Sequence, residues 1–158
     1  MQNEWRVTRM QREHLPHVAA LETVCFSEPW SETALELLLG ETAVGIVALD
    51  GEGIPVGYGS MMQALDEGQI INVAVHPKHR RKGIGAAIVA ALIEEGEGRG
   101  LCELSLEVRA SNEAAIGLYE AFGFSVEGVR KRFYRHPAED GLVMARRNYS
   151  KEAGTEKC

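Results

Sequence analysis

The sequence has few cysteines, and their arrangement excludes two kinds of small cross-linked domain. Its 158 residues include 3 cysteines, at positions 25, 102 and 158, and no Cys-x-x-Cys. An odd number of distant cysteines supports neither a disulfide framework nor a zinc knuckle. We expect Cys25 and Cys102 to be buried small hydrophobes in a reducing compartment.

Long apolar runs and an excess of positive charge are also missing. No apolar stretch is long enough to cross a bilayer, and the N-terminus lacks a signal-peptide pattern. We therefore expect a cytoplasmic protein that has no membrane partner. The net charge of −6 argues against direct nucleic-acid binding and is compatible with a positively charged substrate. The sequence leaves the oligomeric state open.

The length and the apolar pattern predict a single α+β domain with a mixed sheet. Hydrophobic residues at 45% and charged residues at 25% are the values of an ordinary globular protein. The predicted order is strand, two helices, three strands, helix, strand, helix and two strands. Strands are expected at residues 5–10, 43–49, 55–63, 69–75, 101–108, 125–134 and 142–147, and helices at 13–25, 32–39, 83–97 and 113–122. Residues 1–149 are predicted to form the domain and residues 150–158 a polar, disordered tail.

The most informative stretch is the turn that precedes the third helix. A β-branched strand leads through a basic segment into an apolar helix, which should connect two parallel strands. Residues 80–85 fit Arg-x-x-Gly-x-Gly. Free amides and the positive end of a helix dipole meet there, and Gly83 and Gly85 allow close approach of a ligand. The turn suits a pyrophosphate group, and the alternative is a solvated basic turn that caps the helix.

Two familiar phosphate-binding motifs are absent from this turn. The Walker sequence Gly-x-x-x-x-Gly-Lys-Ser/Thr does not occur. In the dinucleotide-binding sequence Gly-x-Gly-x-x-Gly, the third glycine position is occupied by Ile88. The predicted anion site is therefore neither a P-loop nor a dinucleotide-binding loop.

Glu107 is a candidate general base on the strand that follows the third helix. The two-residue period of a strand separates Glu107 and Arg109 from the apolar face formed by Leu106 and Val108. A carboxylate near the carboxyl end of a parallel strand lies where open α/β sheets bind their ligands. The alternative is a solvated strand face on which Glu107 pairs with Arg109.

Tyr119 is a candidate acid on the fourth helix. A tyrosine among apolar residues is commonly a packed core aromatic, and this alternative stays open. Gly117 is unfavourable in a helix by about 1 kcal/mol relative to alanine, which suggests that something approaches the helix closely. A phenol beside a bound thioester could serve as the acid for a departing thiolate.

The remaining polar candidates have simple structural explanations. Ser111 or Asn112 is expected to cap the fourth helix, and a ligand contact of Asn112 would have to coexist with capping. His76 and His79 have no third ligand near them in the sequence, so we expect loop histidines and no metal site. No serine or cysteine has a recognisable nucleophile setting, which favours direct transfer.

Taken together, these residues resemble the GCN5-related N-acetyltransferases (GNAT), which bind acetyl-coenzyme A at an Arg/Gln-x-x-Gly-x-Gly/Ala turn. The element order agrees from residue 5 to residue 147. The most specific match is Glu-Val-Arg-x-Ser-Asn followed by Leu-Tyr within residues 107–119, with further matches at residues 29–31, 72–75 and 123–124. Within the family, the pattern is similar to the type that acetylates the N-terminal alanine of a small-subunit ribosomal protein.

The resemblance implies a role for each candidate residue. Glu107 would be the base and Tyr119 the acid in a direct transfer from acetyl-coenzyme A, as co-substrate, to the α-amine of a protein. The pantetheine arm and the thioester would pair with the main chain of Val73, Ala74 and Val75, and Asn112 would contact coenzyme A. The pyrophosphate would bind the turn formed by Arg81, Lys82, Gly83, Ile84, Gly85 and Ala86.

The C-terminal part departs from the family pattern. Relatives commonly have a Tyr-Tyr pair where this chain has Phe133-Tyr134, and residues 135–141 form a shorter segment than in some relatives. Peptide selectivity is therefore open. Two other functions also remain: acetylation of a small amine or a lysine, and a coenzyme A-binding module without turnover. The presence of both Glu107 and Tyr119 argues against the module.

Overall fold

The computed structural model describes residues 4–135 and 137–147. Its strands are β1 (Trp5–Arg9), β2 (Ala43–Asp50), β3 (Pro55–Ala64), β4 (Glu67–Val75), β5 (Glu103–Arg109), β6 (Ser125–Tyr134) and β7 (Glu139–Arg147). Its α-helices are α1 (Leu15–Cys25), α2 (Glu32–Leu35), α3 (Ile84–Gly98) and α4 (Glu113–Ala121). Short 3-10 turns cover Arg12–His14, Glu36–Leu39 and Pro77–His79. The predicted order of elements is confirmed.

The strands form one mixed sheet in the order β1-β2-β3-β4-β5-β7-β6. Antiparallel ladders join β1 with β2, β2 with β3, β5 with β7, and β7 with β6. Residues 67–69 of β4 pair in parallel with residues 103–105 of β5. Because α3 lies between these two strands in the chain, the predicted parallel crossover and the α+β class are confirmed.

One compact unit comprises the residues up to Met62 together with residues 71–92. Its apolar core is formed by buried side chains of the segment between β1 and β2, of β2 itself, of β3 and of β4: Met10, Leu15, Val18, Leu21, Leu35, Leu38, Ala43, Val47, Leu49, Tyr58 and Ala74. On α3, Ile84, Ile88 and Leu92 are buried, as the helical period predicts. A Cβ atom at Gly59 would lie 2.4 Å from Cγ2 of Ile88, so glycine on β3 permits the close approach of this helix.

The other compact unit comprises residues 63–70 and the described residues from Ile93 onwards. In β5, Leu104, Leu106 and Val108 are buried, whereas Glu103, Ser105, Glu107 and Arg109 are partly accessible. This burial pattern confirms the predicted alternation of the strand. On β7 and after α4, Met144, Ala145 and Phe124 are also buried and complete the apolar side of the unit.

Local differences from the predicted bounds have identifiable causes. The first helix begins at Leu15 rather than at residue 13, because the preceding residues form a 3-10 turn and Pro16 stands in its first turn. The predicted Ser31 cap is confirmed, since its Oγ accepts a hydrogen bond from the Ala34 N–H at 3.1 Å. The second helix has only four α-helical residues and then tightens into a 3-10 turn that ends at Gly40.

The cysteines differ from the expectation. Cys25 is a free thiol and only partly buried. Cys102 is also partly buried, and it is disulfide-bonded. The predicted absence of disulfides is therefore wrong for Cys102, because separation along the chain does not limit the distance between cysteines in the folded protein.

Some predictions concern the ends of the chain or its compartment. The predicted tail at residues 150–158 lies outside the described residues, so the domain bounds of 1–149 stay a prediction. Among the residues that are described, no helix is both long enough and apolar enough to span a membrane.

The close packing at Gly59 leads to a stability prediction. Gly59→Ala should lower the free energy of unfolding by about 2–3 kcal/mol, because the new methyl group would overlap the stiff, β-branched side chain of Ile88. Gly98→Ala, at an exposed helical position whose Cβ would have open space, should change it by less than ~1 kcal/mol, towards greater stability. Urea unfolding of the two variants measures the contrast. Equal stability of both variants would contradict the packing described for β3 and α3.

Candidate functional site

The predicted anion site is a turn between β4 and α3, here called the glycine turn (residues 80–86). Arg81 has φ +66° and Gly83 has φ +84°, so the main chain takes two left-handed steps before the helix begins. The first helical bond runs from the Ala87 N–H to the Gly83 carbonyl group at 3.1 Å. The amides of Ile84, Gly85 and Ala86 precede that bond and are available to an anion.

Open space and positive charge also favour an anion at the glycine turn. A Cβ atom at Gly83 would have nothing within 4 Å, and the side chains of Arg81 and Lys82 are exposed. Lys82 Nζ lies 3.3 Å from Nδ1 of His79. Partial burial and the charge of Lys82 lower the pKa of His79, which favours a neutral imidazole that accepts this hydrogen bond.

Arg80 has a different role from its two basic neighbours. Its Nε donates to the Val75 carbonyl group at 3.0 Å, and Nη2 lies 4.0 Å from the Cys25 thiol. Arg80 therefore ties the start of the glycine turn to the end of β4. Sequence reasoning assigned its charge to the approach of a ligand and did not identify this tie.

A buried carboxylate, Glu22 of α1, organises the segments next to the strand β4. Its side chain is fully buried, and its Oε1 accepts a hydrogen bond from the Trp30 N–H at 2.7 Å. Its Oε2 accepts hydrogen bonds from Asn72 Nδ2 at 2.9 Å and from the Tyr58 hydroxyl group. Burial and the neighbouring Glu22 carboxylate raise the pKa of Tyr58, so this phenol stays a donor. Three donors thus stabilise one buried charge and connect α1, β3, β4 and the segment before α2.

Glu107, the predicted base, lies on β5 with 16% of its side chain exposed. Its Oε2 accepts a hydrogen bond from Nη1 of Arg130 on β6. The alternative pairing of Glu107 with Arg109 does not occur, because Arg109 pairs with Glu139 of β7 instead. Glu107 is therefore a partly accessible carboxylate with a cation from another strand.

Tyr119, the predicted acid, is 8% exposed, and its ring packs edge-on against Phe124 with 5.8 Å between centroids. Burial, and to a smaller extent Tyr134, raise its pKa to about 12. Its hydroxyl group has no hydrogen-bonding partner within the described residues and is not among their fully buried, unpaired polar atoms. The ring of Tyr119 is therefore buried, whereas its hydroxyl group reaches solvent.

Tyr134 interacts electrostatically with both predicted catalytic residues. Burial and the charge of Glu107 raise the pKa of Tyr134, and Tyr134 in turn contributes to the raised pKa of Tyr119. Sequence reasoning named Tyr134 only as a departure from a Tyr-Tyr pair. In the strand register Tyr134 lies opposite Glu139, whereas Glu107 lies opposite Val143. No local sequence pattern reveals these pairings.

Arg109 fixes the turn between β6 and β7. Its guanidinium group donates to the carbonyl groups of Arg135 and Pro137, both at 2.9 Å, and to Glu139 at 3.3 Å. It also lies 4.5 Å from the ring centroid of Tyr134. The other carboxylate oxygen of Glu139 accepts a hydrogen bond from the Ser111 N–H at 2.6 Å. Hydrogen bonding by the Ser111 side chain, then by this N–H and by Arg109, lowers the pKa of Glu139.

The other sequence candidates take simpler positions. Asn112 caps α4, since its Oδ1 accepts a hydrogen bond from the Ala115 N–H at 3.1 Å. The predicted capping role is confirmed, and a contact with coenzyme A stays a prediction. Gly117 is exposed, and a Cβ atom there would have nothing within 4 Å. No neighbour among the described residues therefore requires glycine at this position.

Metal ligands are not grouped in the part of the chain that the structure describes. There, no cluster of three or more His, Cys, Asp or Glu side chains could hold a metal ion. His76 and His79 lie with ring centroids 6.0 Å apart, and Nδ1 of His76 accepts a hydrogen bond from the Lys78 N–H at 3.1 Å. These contacts stabilise the basic turn.

Comparisons with known proteins identify the class of protein. The model of the Acetyltransferase (GNAT) family matches residues 15–124. The chain therefore belongs to the GNAT acetyltransferase family, as its fold and residues predict.

Within this family, the chain is similar to proteins named [ribosomal protein bS18]-alanine N-acetyltransferase. The one from Escherichia coli is 36% identical over 141 residues, which cover 88% of this chain and 95% of that protein. The one from Salmonella typhimurium is 36% identical over 133 residues, covering 83% and 89%. The crystal structure of the ribosomal-protein-S18-alanine N-acetyltransferase from Escherichia coli superimposes with a TM-score of 0.85 at 32% identity, covering 94% of this chain and 97% of that one.

The buried Glu22 leads to a prediction about the loss of its charge at nearly unchanged side-chain shape. Glu22→Gln should lower the free energy of unfolding by about 2–3 kcal/mol, because an amide group has one acceptor oxygen for three converging donors. Glu32→Gln removes the same charge at an exposed position and should cost less than ~0.5 kcal/mol. Chemical unfolding at pH 7 measures both. A small effect at Glu22 would mean that its hydrogen bonds do not stabilise the fold.

The raised pKa of Tyr119 predicts a loss of stability at high pH. The pKa is about 12 in the folded protein and 10.0 in the reference state, so the stabilisation is complete below pH 10 and is lost as pH rises towards 12. At pH 11 the loss due to Tyr119 is about 1.4 kcal/mol. Urea unfolding at pH 8 and pH 11 should therefore show a smaller loss in Tyr119→Phe than in the unmodified protein. Equal losses would be inconsistent with a buried, neutral phenol.

Proposed function

We propose that this protein transfers the acetyl group of acetyl-coenzyme A to the N-terminal α-amine of a ribosomal protein that begins with alanine. The observation that carries the proposal is a partly accessible carboxylate, Glu107, and a phenol without a hydrogen-bonding partner among the described residues, Tyr119, which both interact electrostatically with Tyr134. The names of relatives with 36% identity support the choice of acceptor. We infer that the reaction takes place in the cytoplasm.

Acetyl-coenzyme A suits the residues assigned to it. The glycine turn provides the amides of Ile84, Gly85 and Ala86 and the charges of Arg81 and Lys82 for a pyrophosphate group. Val73, Ala74 and Val75 lie on β4 beyond residues 67–69, which pair with β5. Their main-chain groups are therefore not used by that ladder. The Val75 carbonyl group already accepts a hydrogen bond from Arg80, so we assign the other main-chain groups of Val73, Ala74 and Val75 to the pantetheine arm and the thioester. Asn112 retains its amide NH2 group for a contact with coenzyme A.

The proton balance favours an α-amine over a lysine. An α-ammonium group has a pKa of about 7.7–8.0, so its deprotonation at pH 7 costs about 1 kcal/mol. A lysine with a pKa of about 10.4 would cost about 4–5 kcal/mol. Glu107 is the only base assigned, and it is a carboxylate with limited driving force. It takes the proton from the ammonium group before or during the attack on the thioester carbon.

Tyr119 acts on the leaving sulfur as a hydrogen-bond donor. A phenol with a pKa of about 12 is a weaker acid than a thiol with a pKa of about 8.5, so complete proton transfer would be uphill by about 5 kcal/mol. A hydrogen bond to the developing thiolate needs no such transfer. Burial of the ring keeps the phenol neutral, and its hydroxyl group, which reaches solvent, is assigned to the sulfur.

Kinetic variants test the two assigned roles. With saturating acetyl-coenzyme A and a peptide that begins with alanine, Glu107→Gln should lower kcat by about 100-fold or more, because the base is lost. Tyr119→Phe should lower kcat by about 10–100-fold, because one hydrogen bond to the sulfur is lost. Thiol release measures both rates. Values of kcat near that of the unmodified protein would remove the assignments.

A peptide panel tests the acceptor. Peptides with a free N-terminal alanine should be acetylated, and mass measurement should locate the acetyl group on the first residue. The matched control carries a blocked α-amine and an internal lysine. Acetylation of that control would favour the lysine alternative. Tight binding of acetyl-coenzyme A without thiol release for any amine would favour a binding module.

A further inference from the structure

We propose that Arg130 is a displaceable counter-ion of Glu107. The guanidinium group of Arg130 pairs with the Glu107 carboxylate until the ammonium group of the acceptor replaces it. This inference rests on the proposed function, because it concerns the arrival of the acceptor at the base. It adds a specificity-determining residue that lies on the exposed strand β6. Arg130 would favour the cationic acceptor over uncharged competitors and over the acetylated product.

The strand register gives Arg130 access to Glu107. Arg109, Gly141 and Arg130 form one cross-strand row of β5, β7 and β6, and Glu107 stands two residues from Arg109 in the next row of the same face. A Cβ atom at Gly141 would lie 3.2 Å from the rings of Phe133 and Tyr134, so the glycine leaves room for these two rings. From the row next to that of Glu107, Nη1 of Arg130 donates to Oε2 of Glu107.

The two arginines next to Glu107 differ in how firmly they are held. Arg109 binds Glu139 and two main-chain carbonyl groups, and only 28% of its side chain is exposed. Arg130 has 56% of its side chain exposed, and its second contact is the ring of Phe133, 4.7 Å from its Cζ. Release of Arg130 into solvent breaks one ion pair and one cation–π contact, whereas release of Arg109 would disrupt the turn between β6 and β7.

The environment of Glu107 makes the exchange specific for a cation. Arg130 is the hydrogen-bonding partner of Glu107 within the described residues, and the other titratable groups nearby are Tyr134, Arg109 and Glu139. Glu139 is already held by Arg109 and the Ser111 N–H. Of these two carboxylates, Glu107 is therefore the one whose counter-ion can leave without disrupting the turn between β6 and β7.

The charge of the acceptor changes during the reaction, and this gives the exchange a direction. At pH 7 most α-amines carry a proton, since their pKa is about 7.7–8.0, and such an ammonium group can replace Arg130 at Glu107. Glu107 takes one proton, and the amine nitrogen then bonds to the acetyl carbon as the bond from that carbon to sulfur breaks. The second proton lost by the nitrogen goes to the departing thiolate or to solvent, and the product end has no charge. The product cannot compete with Arg130, which returns to Glu107 once the carboxyl group has released its proton to solvent.

The test compares Arg130→Gln with Lys131→Gln, a matched loss of charge at the neighbouring exposed position of the same strand. Calorimetry with an alanine-initiated peptide in the presence of coenzyme A measures binding, and steady-state rates measure the peptide KM. Arg130→Gln should lower both the Kd and the KM by about three- to tenfold, since an exposed ion pair contributes up to about that much. Lys131→Gln should change either value less than twofold. Arg130→Lys should remain within twofold of the unmodified protein.

Further variants separate the possible outcomes. In a Glu107→Gln background, Arg130→Gln should no longer tighten the binding of the peptide, because the ion pair is already absent. An unchanged or larger Kd in Arg130→Gln, or an equal effect of Lys131→Gln, would overturn the inference. If the unmodified protein binds the peptide but does not acetylate it, the proposed function fails. The binding comparison then still decides whether Arg130 is exchanged at Glu107.

Discussion

The two-residue period of β5 imposes the arrangement on which the candidate catalytic residues depend. Leu104, Leu106 and Val108 must face the apolar side, so Glu107 and Arg109 share the other side. Side chains two residues apart on a strand point the same way but do not pair here. Each finds its counter-ion on another strand, Glu107 on β6 and Arg109 on β7. In the strand order β5-β7-β6, Glu107 and Arg109 therefore form two separate ion pairs. The pair of Arg109 with Glu139 is firmly held, whereas the pair of Glu107 with Arg130 is exposed.

A comparable constraint operates in the compact unit that carries the glycine turn. Glu22 is fully buried and accepts hydrogen bonds from Trp30, Tyr58 and Asn72. A buried carboxylate without its donors would be costly, so the three segments are held together. Asn72 is the residue before Val73, and the turn after β4 is further tied by Arg80 to the Val75 carbonyl group. The glycine turn is consequently fixed at its start by hydrogen bonds and at its end by α3.

Local patterns predicted the elements and the motif, whereas contacts between distant residues could not be predicted. The alternation of β5, the helical stripe of Ile88 and Leu92, and the caps at Ser31 and Asn112 are visible within short windows of sequence and proved correct. The partner of Glu107 was not visible, because Arg130 is 23 residues away and its position depends on the register of β7. The buried role of Glu22 was hidden for the same reason: two of its donors, Tyr58 and Asn72, are 36 and 50 residues away. The disulfide-bonded state of Cys102 was likewise not predictable from spacing.

The acid–base properties proposed for Glu107 and Tyr119 suit an acceptor that is easily deprotonated. Burial holds Tyr119 neutral with a pKa of about 12, so it can donate a hydrogen bond but gives little driving force as an acid. Glu107 is a partly accessible carboxylate that pairs with a cation, and carboxylates as a class are weak bases. Neither group could readily supply the additional 3–4 kcal/mol, approximately, that a lysine needs relative to an α-amine at pH 7. An N-terminal ammonium group is a cation that can replace Arg130 and also an acid strong enough to need only modest help from the base, so it matches both limits.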